Sequence, residues 1–237
     1  MKTINKLILI LLGVVLVTSC ELDNYDFPES SIYGALIDQE TGDTVQSDIY
    51  DGARIALIEI HEDFENPQRQ YLTIKTDGTF RNDLMFEGLY AVPAIEDGNF
   101  YPTDSTSVTI DGGESEFNLD VLPYIRIKDV TMAMEGMVLT ATFKLEQTAP
   151  DSINILFANV FAHTEPTVGK PHRLDDEELY INAAAVPDQE YSISWDISRS
   201  RSLKAETPYH FRIGAIIDMP GARYNYAPAV RLTPTKN

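Results

Sequence analysis

Cys20 carries the only thiol of this 237-residue chain. Ahead of it, Lys2 and Lys6 precede an apolar run from Leu7 to Val17. A basic start, a short apolar stretch and small residues before the cut are the features of a secretory signal peptide. Cys20 therefore lies where such a segment would be removed, and its thiol is a nucleophile that can take up a covalent group.

This N-terminal segment has two other interpretations. A transmembrane anchor would need about 20 apolar residues, more than this run supplies, and an ordinary signal peptide with an incidental cysteine is the second alternative. The residues Leu16–Cys20 resemble the lipobox of bacterial lipoproteins, in which the cysteine receives a diacylglyceryl group. That resemblance implies a lipoprotein signal peptide over residues 1–19, lipid attachment at Cys20 and a tether over residues 20–29. The acylated chain then has no thiol for a disulfide, a metal site or a nucleophile.

The net charge of the chain limits the classes of partner that it can bind. The formal net charge is −19 at pH 7, whereas nucleic-acid binding and adhesion to anionic lipid both require a basic surface. We therefore predict no nucleic-acid partner, and the charge favours solubility. The acidic stretch Glu21–Asp26, directly behind Cys20, resembles the signal that sends Bacteroidetes lipoproteins to the outer face of the outer membrane. A charged, solvated tether is the alternative explanation of this stretch.

Motifs for catalysis and cofactor binding are missing from the sequence. It contains neither Gly-x-Ser-x-Gly nor His-Glu-x-x-His, and no glycine-rich phosphate loop. We predict no catalytic residue, no cofactor and a protein that is not an enzyme. His163 and His172 flank a loop where a zinc pair is conceivable, but loop histidines are usually polar surface groups, so no metal site is predicted. The acidic run Asp175–Glu178 lacks the spacing and glycine of a calcium loop, and predicts the start of a short helix.

Aromatic residues in turns are the remaining candidates for ligand binding. Phe100 and Tyr101 follow Asp-Gly-Asn, and Tyr224 and Tyr226 follow a Pro-Gly turn. Exposed rings can stack on sugar faces while polar neighbours bind the hydroxyl groups. We therefore predict a glycan platform made of Phe100, Tyr101, Tyr224 and Tyr226. The alternative is that these rings pack on their own domain or on the other one, because Tyr and Phe bury large areas.

Short strand-like segments separated by glycine-bearing turns must position these groups. Several alternate apolar and polar residues with a period of two, as half-buried antiparallel strands do. The clearest segments are Arg54–Ile60, Tyr71–Lys75, Glu116–Val121, Met137–Phe143, Ile153–Phe161, Tyr191–Ile197 and Tyr209–Ile217. The pattern predicts an all-β fold with two consecutive β-sandwich domains. Their boundary falls near Leu122-Pro123, which gives domains over residues 30–122 and 123–237.

The first domain resembles the carboxypeptidase regulatory-like, transthyretin-like sandwiches. The resemblance rests on an ordered series of strands and turns. Its segments are Tyr33–Asp38, Thr41–Asp43, Gly52–Leu57, Thr76–Phe80 and Leu84–Val92. Domains of that kind mostly connect, space or bind, so the resemblance implies a fold and no particular activity.

The second domain resembles a fibronectin type III or immunoglobulin-like sandwich. The run Leu203–Ile213 is similar to the segment that leads into the sixth strand of that fold. It predicts a tyrosine corner, with the Tyr209 hydroxyl on upstream backbone. Strand alternation then places Tyr209 and Phe211 on one face and His210 and Arg212 on the other. The tryptophan expected in the second strand is absent, and Phe143 is the candidate replacement.

The whole mature chain resembles a surface lipoprotein family of gut Bacteroidetes that accompanies starch-utilisation-type outer-membrane receptors. That resemblance implies a lipid-anchored protein of the outer membrane that faces the cell surface. Its implied partners are the membrane, a glycan and an outer-membrane receptor complex. We predict non-enzymatic glycan capture at a polysaccharide-uptake complex. The alternative is a structural spacer or docking subunit of that complex that binds no ligand of its own.

The lipobox generates a direct test. In Cys20→Ala the acceptor thiol is lost, so we expect a protein that lacks the acyl mass and is either mis-sorted or keeps its signal peptide, as judged by mass spectrometry and fractionation. Ser19→Ala keeps a small residue before the cysteine and should behave like the wild type. Unchanged mass and membrane partitioning of Cys20→Ala would contradict lipidation at this residue.

Overall fold

The computed structural model describes residues 27–61, 66–150 and 152–236. Across these residues the secondary structure is almost entirely strand, and the sheets fall into two domains, which confirms the predicted all-β fold class. Cys20 and the acidic stretch Glu21–Asp26 lie outside the described residues. Within the described part of the chain, no helix has the length and apolar character needed to cross a membrane.

In the described residues, eight strands form the first sandwich. They are β1 (Ser30–Asp38), β2 (Arg54–Ile60), β3 (Arg69–Thr73), β4 (Thr79–Met85), β5 (Gly88–Val92), β6 (Thr106–Ile110), β7 (Glu114–Glu116) and β8 (Leu119–Val121). One sheet has the order β4-β1-β7, with β8 paired to the far end of β1, and the other has the order β3-β2-β5-β6. The core between the sheets is apolar. Its members include Ile32, Leu36, Ile55, Leu57, Phe80 and Tyr90.

Gly34 permits a close approach of the backbone in the first sandwich. It lies in the middle of β1, where the chain passes from β7 to β8. The Phe117 N–H donates to the Tyr33 carbonyl at 2.8 Å, and a Cβ on Gly34 would lie 1.7 Å from the Phe117 carbonyl oxygen. Only a residue without a Cβ fits at this distance.

Eight further strands, counted over residues 125–150 and 152–236, form the second sandwich. They are β9 (Ile125–Glu135), β10 (Val138–Gln147), β11 (Ile155–His163), β12 (Asp175–Ala183), β13 (Glu190–Asp196), β14 (Tyr209–Ile217), β15 (Asn225–Tyr226) and β16 (Val230–Leu232). One sheet has the order β13-β10-β9, and the other has the order β12-β11-β14-β15, with β16 also on β14. A single turn of 3₁₀ helix, Ile197–Arg199, follows β13.

The helix predicted at Asp175–Glu178 is wrong, because this run opens strand β12. β12 pairs antiparallel with β11, and that pairing overrides the weak local tendency to form a helix. The extended backbone places Asp176 and Glu178 on the same side of the strand. There the buried Asn159 side-chain amide donates to Asp176 Oδ2 at 2.9 Å and to Glu178 Oε2 at 3.5 Å. The acidic residues are therefore partners of a buried amide.

The predicted tyrosine corner is confirmed. The Tyr209 ring is buried in the second core, and its hydroxyl oxygen accepts a hydrogen bond from the Lys204 N–H, five residues upstream, at 2.9 Å. Phe143 is fully buried in the same core and stacks on Tyr191 with ring centroids 5.9 Å apart. Phe143 lies in β10, the second strand of this sandwich, where the expected tryptophan is absent.

An ion-pair network joins the two domains at the linker. Arg126, at the start of β9, donates to Asp38 of the first domain, with Nε to Oδ2 at 2.5 Å, and also contacts Glu40 and Glu146. Burial alone would raise the pKa of the Asp38 carboxyl, but hydrogen bonds from Arg126 and the Glu40 N–H outweigh it and hold that pKa below its usual value. The carboxylate form of Asp38 is therefore part of the joint.

The tyrosine corner predicts a measurable loss of stability. Tyr209→Phe removes the acceptor of the Lys204 N–H, and we expect the free energy of unfolding to fall by about 1 kcal/mol, the net value of a typical hydrogen bond. Denaturant melts of the whole protein measure this change. Tyr180→Phe removes a hydroxyl from an exposed ring and should change stability little. Equal melts for both variants would mean that the Tyr209 hydroxyl contributes nothing beyond solvation.

Candidate functional site

A groove of about 750 Å³ opens on the outer face of the β2–β3 hairpin, where the first domain meets the second. Its walls come from the loop before β2, from the loop after β5 and from Arg223 of the second domain. The two exposed rings in it belong to Tyr50 and Tyr71, each 55% exposed. The groove is the strongest candidate for a ligand site in the described part of the chain.

Strand register places the floor of the groove. In the β2–β3 pair, Ala56 lies opposite Tyr71 and Arg54 lies opposite Thr73. Directly opposed residues share a face of the sheet, so these four side chains all point outward. The short Ala56 methyl leaves a depression between the longer Arg54 and Tyr71 side chains. The sequence therefore forms a recess on the outer face of an otherwise regular sheet.

Asp48 fixes the loop that carries Tyr50. Its side chain is buried, and its Oδ1 accepts the N–H groups of Tyr50 at 2.8 Å and Asp51 at 3.1 Å. Its Oδ2 accepts the hydroxyl of Tyr226, a residue of the second domain, at 3.1 Å. The backbone position of Tyr50 is therefore set partly by the neighbouring sandwich.

Arg223 closes the groove from the second domain. Its Nη1 donates to Asp51 Oδ1 at 2.7 Å, and its backbone N–H donates to the Gly98 carbonyl at 2.8 Å. Gly98 and Ala222 also form a β-bridge. The two turn regions that the sequence singled out, near residues 97–102 and 220–226, do come together at the domain junction.

The groove is lined by tyrosine rings, by positively charged hydrogen-bond donors and by negatively charged acceptors. Arginines and carboxylates are equal in number among the lining residues. They are Arg54, Arg69 and Arg223 with Asp51, Glu96 and Asp97. Guanidinium groups donate and carboxylates accept, so together they can bind the hydroxyl groups of a polyhydroxylated ligand in both directions. The two tyrosines supply flat apolar faces beside them.

The rings predicted from the sequence lie elsewhere. Phe100 is 1% exposed and belongs to the first core, and Tyr226 is buried, with its hydroxyl bonded to Asp48. Tyr101 packs edge-on against Tyr124 with ring centroids 4.9 Å apart. Phe100 and Tyr226 have no face available to a ligand, because both rings are needed to fill space inside the protein.

Tyr224 is partly buried and acts as a structural contact. Its ring stacks on Tyr226 with centroids 5.9 Å apart, and its hydroxyl donates to Asn159 Oδ1 at 3.2 Å. Burial, with the nearby charges of Glu178 and Asp176, raises the pKa of Tyr224 to about 12. The candidate rings for ligand contact are therefore Tyr50 and Tyr71, in place of the four residues predicted from the sequence.

The sequence contained a pattern from which the exposure of Tyr71 could have been predicted. The run Tyr71-Leu72-Thr73-Ile74 alternates, and Leu72 and Ile74 are the buried members. A tyrosine at the outward position of an alternating strand is an exposed ring on a rigid support. Tyr50 gave a weaker signal, because only its place beside Asp51-Gly52 marked it as a turn residue.

Arg212 lies at the centre of the domain junction and is 1% exposed. Its guanidinium donates to two carbonyls of the second domain, and in the first domain to two carbonyls and the Gln46 side chain. The carbonyl acceptors are Ala227 (2.9 Å), Val168 (3.3 Å), Ser47 (3.0 Å) and Thr76 (2.7 Å). Its carbon Cζ also lies 4.2 Å from the ring centroid of Tyr226. Burial lowers the pKa of Arg212 to about 10, which still leaves it protonated at neutral pH.

A histidine–glutamate cluster lies near the same junction. His163, at the end of β11, and His172, in the loop before β12, have ring centroids 3.9 Å apart. His172 Nε2 lies 3.1 Å from Glu165 Oε2, and the His172 ring is 5.1 Å from that of Tyr50. Burial and the neighbouring His172 lower the pKa of His163. The sequence named both histidines, and the fold brings them together.

Comparisons with known proteins cover both domains. Residues 30–122 match the N-terminal domain of a family described as a protein of unknown function, DUF3823, and residues 125–231 match its C-terminal domain. A solved structure of a candidate carbohydrate-binding protein from Bacteroides uniformis is 31% identical, with a TM-score of 0.76. The alignment covers 87% of this chain and 99% of that one. A comparison with curated proteins gives no significant match.

Two further solved structures show the same fold. A DUF3823 family protein from Parabacteroides merdae is 23% identical, with a TM-score of 0.74, over 88% of this chain and 100% of that one. Another from Bacteroides ovatus is 18% identical, with a TM-score of 0.73, over 87% and 100% of the two chains. Both alignments span the two sandwiches together.

The buried Arg212 guanidinium predicts how much the domain junction contributes to the free energy of unfolding. Arg212→Met keeps an apolar stem but leaves the buried carbonyls of Ala227, Ser47 and Val168 without this donor. The Thr76 carbonyl keeps the Ser47 N–H as a donor. Each such loss costs about 1–3 kcal/mol, so we expect unfolding to become easier by about 3 kcal/mol or more in denaturant melts. Arg199→Met, at a side chain 86% exposed, is the matched control. Similar melts for the two variants would show that Arg212 does not hold the domains together.

Proposed function

The chain belongs to the DUF3823 family, matched over both of its domains. We propose that it is a non-enzymatic carbohydrate-binding protein. The ligand site in this proposal is the groove at the domain junction. One observation carries it: two exposed tyrosine rings, Tyr50 and Tyr71, lie in one recess with charged hydrogen-bonding groups of both signs.

The rings would bind the apolar faces of sugar units. A pyranose presents C–H groups on its face, and an aromatic ring with one free side can stack on it while solvent is removed from both. Tyr71 projects from a regular strand, and Asp48 fixes the backbone of Tyr50. A rigid support lowers the entropy lost when a ligand is bound.

The charged lining favours a neutral glycan. Arg223 and Asp51 already pair with each other at 2.7 Å, so neither adds an unbalanced charge to the groove. Arg54 and Arg69 line the same groove as Glu96 and Asp97. A groove with balanced charge binds hydroxyl groups by charge-assisted hydrogen bonds and gives a strongly acidic or basic ligand no net attraction.

The relative from Bacteroides uniformis supports the same class of ligand. It is described as a candidate carbohydrate-binding protein, and 31% identity over almost its whole length relates it to this chain. That description concerns the relative. For this chain it adds weight to a groove that already has the features of a sugar site.

The proposed location is the cell surface, with the protein anchored through a lipid on Cys20. The lipobox-like residues Leu16–Cys20 and the acidic stretch Glu21–Asp26 support it. Many copies on one membrane would bind one polymer at several points, which compensates for weak binding of each sugar unit. In this setting the protein would supply glycan to a polysaccharide-uptake complex.

A structural spacer is the second candidate, and the buried Arg212 favours it. A joint with this many hydrogen bonds across it holds two sandwiches in a fixed relative orientation. A spacer needs such rigidity and needs no groove. The two candidates therefore make opposite predictions for ligand binding.

Substitution of the groove tyrosines tests carbohydrate binding. We expect Tyr71→Ala and Tyr50→Ala each to weaken binding to a polysaccharide by about 1–3 kcal/mol, the value of one stacked ring by analogy with stacked bases. Affinity electrophoresis through a panel of polysaccharides, followed by calorimetry on any that bind, measures this. Tyr180→Ala removes an exposed ring of the second domain and should leave the affinity unchanged.

Two results would contradict the proposal. If no polysaccharide of a broad panel binds and the protein co-purifies with a membrane receptor, it acts as the spacer. If sugar is released from a polysaccharide by the wild type but not by Asp51→Asn, Glu96→Gln or Asp97→Asn, a lining carboxylate catalyses hydrolysis and the protein is an enzyme.

A further inference from the structure

A cluster of potential metal ligands lies beside the groove, at the end of β11 and in the loop that leads to β12. His163, Glu165 and His172 each offer one ligand atom, and these three atoms lie within 4.8 Å of one another. Two imidazoles and one carboxylate are the set that holds catalytic zinc in several enzymes. We propose that these three residues bind a divalent transition metal ion of the zinc type.

The distances suit a single small ion. His172 Nε2 and Glu165 Oε2 are 3.1 Å apart, whereas two ligands of one tetrahedral zinc at about 2.1 Å from the metal lie about 3.4 Å apart. The rings of His163 and His172 are already adjacent, with centroids 3.9 Å apart. Glu165 is exposed, so its side chain can adjust around an ion without disturbing the core.

The backbone that carries the ligands is fixed. His163 ends β11 and lies opposite His210 of β14 in the sheet register. His172 closes a tight turn in which its N–H donates to the Gly169 carbonyl at 3.1 Å and its carbonyl accepts the Gly169 N–H at 3.2 Å. Lys170, which follows Gly169 in this turn, donates its N–H to the Tyr226 hydroxyl at 3.0 Å. Ligands on such a support need little ordering when the ion binds.

Neighbouring groups set the orientation of the loop. His210 Nδ1 donates to the Thr164 carbonyl at 3.2 Å, directly before Glu165. His163 Nδ1 accepts the Glu165 N–H at 3.0 Å. A neutral imidazole has a single acceptor nitrogen, so this hydrogen bond must open when His163 binds an ion. Glu165 is exposed, so its side chain is free to move.

The kind of ion follows from the donor atoms. Imidazole nitrogen suits zinc, copper, nickel and iron, whereas calcium and magnesium prefer oxygen ligands throughout. Three protein ligands leave at least one coordination position for water or another small oxygen donor. The site is therefore expected to discriminate strongly between zinc and the hard cations.

Zinc titration tests the proposal. The probe is Zn²⁺ added by calorimetry to the tag-free, chelator-treated chain from Glu21 to Asn237, which contains every residue that the structure describes and lacks the Cys20 thiol. We expect one equivalent to bind, with Ca²⁺ and Mg²⁺ unable to compete. His163→Ala and His172→Ala should each weaken binding by more than about tenfold, since even residues around the ligands are worth about 10- to 100-fold.

Two further variants separate the metal site from a structural effect. Glu165→Gln changes an exposed side chain and should keep the fold, judged by circular dichroism, while it weakens zinc binding. His61→Ala is the control. His61 directly follows β2, at the end of that strand away from the groove, and its loss should leave zinc binding unchanged. Absence of stoichiometric zinc binding, or equal affinity in the wild type, His172→Ala and Glu165→Gln, would overturn the proposal.

Discussion

The guanidinium of Arg212 is buried between the two sandwiches, and a buried cation is stable only when its donors are bonded. All five of its N–H groups can be matched to the five acceptors around it, which come from both domains. The geometry of a planar fork then fixes where the Ser47 and Thr76 carbonyls must lie relative to Val168 and Ala227. Arg212 therefore constrains the relative position of the domains through directional bonds to both of them.

The candidate sites depend on this joint through a short series of contacts. Arg212 lies over the ring of Tyr226, whose hydroxyl donates to Asp48, and Asp48 in turn holds the Tyr50 backbone. The same hydroxyl accepts the N–H of Lys170, in the turn that places His172. A Cβ on Gly169 of that turn would lie 2.1 Å from Asp48 Oδ2, so the fit leaves no room for a larger residue. The groove and the histidine cluster thus share one support.

Local sequence patterns were sufficient to predict strands and the faces on which their side chains lie. Alternation identified β2 and β14 to the residue, because one face of each strand is buried against its own core. The same rule placed Arg212 on the face away from that core, which is correct, but it could not show that loops of the first domain cover that face. Burial by a distant part of the chain leaves no local signal, so the sequence left two alternatives open for Phe100 and Tyr226: a glycan platform or packing inside the protein. Both rings are buried, as the second alternative has it. The helix at Asp175–Glu178 failed for the same reason, because its backbone pairs with β11.

The joint is polar where a permanent interface is often apolar, and this has a structural consequence. Apolar surfaces attract without direction and tolerate sliding, whereas hydrogen-bonded charges have one favourable arrangement. The ion pairs of Arg126 with Asp38 and of Arg223 with Asp51 add two more directional contacts, on either side of Arg212 in sequence. Three arginines of the second domain therefore fix three points on the first, which is enough to define an orientation. A groove whose walls come from two domains keeps its shape only if that orientation is fixed.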